Sequence, residues 1–405
     1  MSVPDKQSFI TFYLSYTPKL MFFIRILILK GIPAACLMLI FYNIKVSHVE
    51  YLQFSIIYTL SYASVNLGTT LPGQIILRFF HNSNLKGFYS ANSRIILLLI
   101  LLTCSVSSLL IMEFRMVYIL FTVASFLSAL EIYLQLAQKR YLFICILELL
   151  RVVPALILTT FFEFTNQGVF LCFFIGAIIS VTVSIINRKY FTSGQCIECR
   201  HPRIRTILLY KYGLPVAAWS FIAQLFFNLD KTILKFFSSF YEANSLFFNR
   251  YYFTFDITTR IYTTFFAGYH TVLLPFMVNL PGNEKRDIQN FSYSLIAGIS
   301  ILILIMMYFV VAVHDIFQVN LFVIFLFICA QAIWNSCIIK QKAYELNLNT
   351  MRMLLYLIIS FSFFALLCVA GIIVGYKYFQ VIAIIAGFLV YLCLLVIYEK
   401  KQVKL

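Results

Sequence analysis

Ten ionisable side chains lie inside long apolar segments of this 405-residue chain, where a charge is costly to place. Insertion scales assign about 2.5–3.5 kcal/mol to each such group at the centre of a membrane-spanning helix. We therefore expect these side chains to face one another or a hydrated passage, where they could bind a charged ligand or carry a coupled ion. The basic members are Arg25, Lys30, Arg151, Lys231, Arg250 and Arg260, and the acidic members are Glu131, Glu148, Asp230 and Asp256.

The sign of these charges favours an anionic ligand, because six basic groups outnumber four acidic ones. Arginine in particular forms paired hydrogen bonds with phosphate oxygens. The candidate substrate-binding charges are Arg25, Lys30, Asp230, Lys231, Arg250 and Arg260. The candidates for ion coupling or structural pairing are Glu131, Glu148, Arg151 and Asp256. Pairing is an open alternative because Glu148 and Arg151 are three residues apart and Asp256 and Arg260 are four apart, so each pair shares a helix face.

The composition places the chain in a membrane. Hydrophobic residues make up 62% and charged residues 11%, with a mean hydropathy of +0.92, whereas soluble domains are about half apolar and about a quarter charged. A spanning helix needs about 20 apolar residues and a barrel strand about 10 in alternation. Unbroken apolar runs such as 95–112 and 354–376 favour helices, so we predict an all-α integral membrane protein.

Twelve membrane-spanning helices are predicted, which puts both termini on the same side of the membrane. Connectors on the side of the N-terminus, counted together with the span ends next to them, hold 21 Lys and Arg residues, and those on the other side hold 4. Because short cytoplasmic loops are enriched in Lys and Arg, both termini are predicted to be cytoplasmic. The predicted spans are 20–43, 51–74, 92–112, 117–138, 141–162, 167–187, 213–236, 246–275, 291–313, 317–339, 352–375 and 378–398.

A long basic connector divides these spans into two sets of six. The predicted units are an N-terminal six-helix lobe over 1–187, a basic cytoplasmic linker over 188–212 and a C-terminal six-helix lobe over 213–405. Two helical bundles of this kind are typical of transporters.

Sequence patterns for enzymes, cofactors and metals are scarce. The chain has no P-loop, no dinucleotide-binding fingerprint and no nucleophile elbow, so we predict a non-enzyme without a cofactor. Cys196, Cys199 and His201 resemble half of a zinc site, but a structural site needs four ligands, and no metal is predicted. The formal net charge of +16 lies mostly in short connectors, which favours membrane topology over a nucleic-acid partner.

Several motifs carry a resemblance to a known family. At the start of the second span, Glu50 and Tyr51 are similar to the family's acidic-Tyr-Gly-x-Phe motif, with Leu52 where Gly is common. At the exit of the same span, Leu77-Arg78-Phe79-Phe80 is similar to the family's Arg-Phe-Phe motif. Glu148-Leu149-Leu150-Arg151 resembles the fifth span. Tyr212-Gly213-Leu214-Pro215 followed by Asn228-Leu229-Asp230-Lys231 resembles the seventh. The chain thus resembles the Wzx-type flippases, the polysaccharide-exporter branch of the multidrug/oligosaccharidyl-lipid/polysaccharide (MOP) superfamily.

This resemblance implies a function. Such a flippase moves a polyprenyl-diphosphate-linked oligosaccharide, such as an O-antigen repeat unit for lipopolysaccharide biosynthesis, across the bacterial inner membrane. Alternating access between two lobes and a charged central cavity are implied as well. Asp230 and Lys231 match the family's seventh-span pair, and Arg25 and Lys30 lie in a span where related flippases carry basic residues. The implied partners are the lipid-linked oligosaccharide, membrane lipids, and the polysaccharide polymerase and chain-length machinery.

Two other functions remain as alternatives. A drug/cation antiporter of the same superfamily would be expected to have a net-acidic passage, whereas the intramembrane charges here are net basic. A polysaccharide polymerase or ligase typically carries a large outside loop with basic residues, and the predicted outside loops hold only four Lys and Arg.

Overall fold

The structure is a computed structural model that describes residues 31–45, 51–79, 88–111, 116–138, 140–191, 204–237, 244–278, 282–314, 321–346, 350–376 and 378–402. These residues are almost entirely helical. The N-terminal half consists of α1 (Gly31–Lys45), α2 (Tyr51–Phe79), α3 (Phe88–Ile111), α4 (Met116–Ala137), α5 (Tyr141–Phe161) and α6 (Asn166–Phe191). The C-terminal half consists of α7 (Leu214–Phe226), α8 (Leu229–Phe236), α9 (Ser245–Val278), α10 (Gly282–His314), α11 (Leu321–Leu346), α12 (Thr350–Val374) and α13 (Phe379–Gln402).

The helices follow the predicted spans closely. Within the described ranges, eight helices are long and apolar enough to cross a membrane, namely α3 to α6 and α10 to α13. The remaining predicted spans correspond to α1, α2, α9 and the pair α7 and α8. Helical structure also extends into the predicted linker, because a helical turn at Thr206–Leu208 and a π-helical turn at Leu209–Gly213 lead directly into α7.

The seventh predicted span is broken in its middle, which the sequence did not predict. Helix α7 ends at Phe226 and α8 begins at Leu229. The backbone N–H groups of Phe227 and Asn228 donate to the carbonyls of Gln224 and Leu225 in a tighter turn, and the Asn228 side chain donates to the Gln224 carbonyl at 2.8 Å. These bonds satisfy the backbone at the break, as a helix end inside a membrane protein requires.

Helix α2 joins the two halves. It packs on α3 and α4 of its own half, and on α7 and the π-helical turn of the other half. The backbones come close together at Gly213, where a Cβ atom would lie 2.6 Å from the backbone oxygen of Leu71. A side chain at this position would therefore push the two halves apart.

Replacing Gly213 with alanine is expected to destabilise the protein by about 1–3 kcal/mol, the usual cost of overpacking. The added methyl group meets a backbone atom that cannot rotate away. Thermal unfolding in detergent measures the effect. Gly298→Ala is the control, because a Cβ atom at exposed Gly298 meets nothing within 4 Å. Equal melting temperatures for the two variants would contradict the close contact.

Candidate functional site

A cavity of about 450 Å³ lies between the two halves, within the usual size range of ligand sites. Helices α1 and α2 line it on one side, and α7, α9, α11 and the break at Phe227–Asn228 line it on the other. Along α2 the lining runs from Tyr58 to Asn66, about 12 Å at the rise of a helix. Its walls are aromatic and polar, and its charged lining residues among those described are Asp256 and Arg260.

Two guanidinium groups are held against aromatic rings beside this cavity. The guanidinium carbon of Arg260 lies 3.8 Å from the ring centroid of Phe41 and 5.3 Å from that of Tyr58. Arg151 donates to the Tyr62 hydroxyl and lies 5.0 Å from the centroid of the same ring. Stacking fixes the plane of a guanidinium and leaves its edges able to donate. Arg260 thus brings an oriented cation to the cavity wall.

An inter-half network surrounds the carboxylate of Asp256. Lys231 Nζ lies 2.7 Å from Asp256 Oδ1. The Tyr51 hydroxyl and Ser55 Oγ donate to Asp256 Oδ2 at 2.8 and 2.7 Å, and Lys231 Nζ also donates to Ser55 Oγ at 2.8 Å. Tyr51 and Ser55 belong to α2, whereas Lys231 and Asp256 belong to α8 and α9. We call these four residues the inter-half network.

Buried aromatic rings close the cavity at the end where this network lies. Phe41 packs edge-on against Tyr51 and Phe54, with centroids 6.0 and 5.2 Å apart. Tyr51 in turn packs against Phe253 at 5.5 Å. All four rings are at most 2% exposed, so within the described part of the chain the network and the rings fill this end of the cavity, which we call the closed end.

The part of the cavity wall that α11 contributes is uncharged. Gln331, Trp334 and Asn335 line the cavity there, and their spacing of three and four residues places them on one helix face. Trp334 stacks on Trp219 with ring centroids 5.8 Å apart and planes 7° apart. The Trp219 indole N–H donates to the Tyr391 hydroxyl at 2.9 Å, which anchors the pair. We call Gln331, Trp334 and Asn335 the α11 face.

The predicted substrate-binding charges are distributed unevenly around the cavity. Arg260 lines it, whereas Lys231 lies behind the wall in the inter-half network. Arg250 lies on α9 within electrostatic range of Lys45, towards the closed end. Arg25 and Lys30 lie outside the described residues. The roles of all these charged residues in substrate binding remain predictions.

Asp230, also predicted to bind substrate, is fully buried inside the C-terminal half and does not line the cavity. The Tyr252 side chain and the Lys231 backbone face the Asp230 carboxylate, but among the described residues no contact to either carboxylate oxygen has the geometry of a full hydrogen bond. Its neighbour Lys231 extends towards Asp256 instead. Adjacent residues on a helix point in directions about 100° apart, so the side chains of Asp230 and Lys231 lie in different environments.

The four residues predicted for ion coupling or pairing have different surroundings. The same-helix pair of Asp256 with Arg260 does not form, because Lys231 reaches Asp256 from α8. Arg151 donates to Tyr62, and Glu148 lies near enough to stabilise its charge. Glu131 is fully buried in the N-terminal half, where it accepts hydrogen bonds from Tyr89 at 2.7 Å and Ser184 at 2.8 Å.

No group of three or more His, Cys, Asp or Glu side chains among the described residues could hold a metal ion. Cys196, Cys199 and His201, the partial zinc pattern, lie outside those residues. A second groove, of about 580 Å³, runs between α10 and α11 on the outer surface. Its lining is apolar and aromatic and includes exposed Tyr308, Phe309 and Phe322, which suits a surface in contact with lipid.

No protein-family model and no curated protein matches the sequence. Solved structures do match over nearly the whole chain. A multidrug resistance MATE family transporter of the MOP superfamily, in an outward-facing conformation, has a TM-score of 0.64 at 12% identity, covering 94% of this chain and 95% of that one. A Vibrio cholerae MATE transporter, VcmN, has a TM-score of 0.60 at 12% identity, covering 95% and 97%. The chain therefore has the fold of the MATE transporters of the MOP superfamily, an all-α membrane fold of about twelve spans in two lobes.

Proposed function

We propose that the protein is a flippase that moves a polyprenyl-diphosphate-linked oligosaccharide across the bacterial inner membrane by alternating access, with both termini cytoplasmic. The observation that carries the proposal is the guanidinium of Arg260, which is stacked on Phe41 and Tyr58 at the wall of a cavity between the two halves. An oriented guanidinium suits a diphosphate, because its N–H groups can replace the water that a phosphate loses on entering the membrane.

The cavity wall supports a mechanism in which the headgroup moves through the protein while the lipid tail stays in the bilayer. The headgroup would occupy the cavity, where aromatic and amide side chains surround the guanidinium. The polyprenyl tail would remain in the bilayer, since its transfer into a polar cavity would forfeit hydrophobic stabilisation of about 0.8 kcal/mol per CH₂. Opening of the closed end would release the headgroup on the other side.

Drug/cation antiport is the second candidate, and two observations favour it. The solved structure with a TM-score of 0.64 is that of a multidrug resistance transporter, and Asp230 offers a fully buried carboxylate whose polar surroundings include the Tyr252 side chain. A buried carboxylate of this kind is stabilised when it binds a proton or a cation.

Deletion of the gene in its own host tests the proposal. We expect loss of surface polysaccharide and accumulation of the lipid-linked oligosaccharide on the cytoplasmic face, with no change in susceptibility to ethidium and norfloxacin. Increased susceptibility with normal surface polysaccharide would instead establish the antiporter. Precursor that reaches the outer face and stays unpolymerised would establish the polymerase or ligase.

A further inference from the structure

The cavity has two chemically different walls. Where α1, α2 and α9 meet, the wall carries the guanidinium of Arg260 and the rings of Phe41 and Tyr58. The α11 face, which lies on the same side of the cavity as α9, contributes two amides and an indole, none of which is charged. A ligand that complements both walls has an anionic part and a neutral part rich in hydroxyl groups.

The indole of Trp334 is held in place by its neighbours. It is stacked on Trp219 on one side, and its ring centroid lies 4.9 Å from that of Phe388 with the planes 33° apart. Phe227, at the break between α7 and α8, packs edge-on against the Trp334 ring at 5.4 Å. A side chain held by several neighbours loses little conformational entropy when a ligand contacts it. Only 7% of Trp334 is exposed, so a ligand can contact only the part of the indole that borders the cavity.

The two amides are fixed through their nitrogen atoms. Gln331 Nε2 donates to Thr259 Oγ1 at 2.8 Å, and Asn335 Nδ2 donates to the backbone oxygen of Gln331 at 2.7 Å. When the nitrogen of an amide is held in this way, its carbonyl oxygen has a set position as an acceptor. Thr259 directly precedes Arg260 on α9, so the amide wall begins beside the guanidinium.

We propose that the α11 face is the sugar subsite of this cavity, which selects the neutral sugar attached to the lipid diphosphate. An apolar C–H edge of the sugar would contact the part of Trp334 that borders the cavity, and the sugar hydroxyl groups would donate to the amide oxygens of Gln331 and Asn335. The diphosphate would lie at Arg260. This inference rests on the proposed flippase function and adds to it the residues that distinguish one sugar from another.

Binding to the purified full-length protein tests the subsite. The chain has two tryptophans, Trp219 and Trp334, which are stacked together, so their fluorescence reports on the α11 face directly. The probes are undecaprenyl diphosphate and the same lipid carrying GlcNAc, GalNAc, glucose or galactose. We expect at least one sugar to bind more tightly than the bare lipid diphosphate and to change the fluorescence, which the bare lipid does not.

Variants distinguish the contribution of the α11 face to binding from that of Arg260. Gln331→Ala and Asn335→Ala should each reduce the advantage of the preferred sugar over bare undecaprenyl diphosphate about threefold to tenfold, the usual effect of one hydrogen bond. Ser336→Ala is the control, because Ser336 lies on α11, donates to the Ala332 carbonyl at 2.8 Å and does not line the cavity. Arg260→Gln should weaken both kinds of probe equally.

The outcomes distinguish the subsite from the function. If no sugar improves on bare undecaprenyl diphosphate, or if the amide variants keep the full preference, the subsite is overturned and the flippase proposal stands. If neither kind of lipid binds to the wild-type protein, the flippase proposal itself falls. A preference that Ser336→Ala removes as strongly as Gln331→Ala would also overturn the subsite.

Discussion

Replacement of Asp256 by leucine is expected to lower the free energy of unfolding by about 3–5 kcal/mol, the range for removing one partner of a buried ion pair. The loss leaves Lys231, whose side chain is fully buried, without the carboxylate that lies 2.7 Å from its Nζ. Tyr51 and Ser55 lose their acceptor at the same time. Thermal unfolding in detergent, followed by tryptophan fluorescence, measures the change.

A double variant tests whether the pair itself causes this loss. Lys231→Met combined with Asp256→Leu should recover most of the lost stability, because an apolar pair of similar volume can replace a buried ion pair at little cost. Tyr51→Phe removes one hydrogen bond and should cost only about 0.5–1.5 kcal/mol. Additive losses in the double variant would show that Lys231 and Asp256 are not coupled, which contradicts the inter-half network.

Replacement of Arg260 by glutamine is expected to reduce restoration of surface polysaccharide in the deletion strain by about tenfold to a hundredfold. A hydrogen bond to a charged group contributes about 1.5–3 kcal/mol, and each 1.4 kcal/mol corresponds to about a factor of ten. The guanidinium of Arg260 is the group in the described cavity wall that suits a diphosphate. Surface polysaccharide, normalised to the amount of protein in the membrane, provides the measurement.

Two further variants identify the property of Arg260 that matters. Arg260→Lys keeps the charge but loses the planar group that stacks on Phe41, so we expect only partial restoration. Arg205→Gln removes an exposed arginine outside the cavity and should restore polysaccharide fully. Wild-type restoration by Arg260→Gln would exclude Arg260 as the phosphate-binding group.

The helices could be predicted from the sequence because a span is a local property of the chain. Apolar runs of about 20 residues bounded by polar connectors set both ends, and the predicted 141–162 became Tyr141–Phe161. The break after Phe226 gave no comparable signal. The region lacks proline and glycine there, and the turn includes a bond from the Asn228 side chain to the Gln224 carbonyl.

The composition of the site was predictable, but its pairing was not. The cost of buried charge identified Lys231, Asp256, Arg151 and Arg260 as groups that need partners. Spacing along one helix then suggested Asp256 with Arg260, whereas the partner of Asp256 comes from another helix. Tyr62, Ser55 and Trp334 were missed altogether, because a hydroxyl or indole in an apolar helix carries no sequence signal until a neighbouring helix approaches it.

The position of α2 between the two halves has a consequence for how the halves can move relative to each other. Most of the packing between the halves that the structure describes involves this one helix, against α7 and the preceding turn. A rotation of the halves about an axis near α2 would preserve that packing and separate only the groups farther from the axis. The hydrogen bonds of Tyr51 and Ser55 tie α2 itself to α8 and α9, so these bonds lie close to such an axis and could persist while the helices farther away move apart.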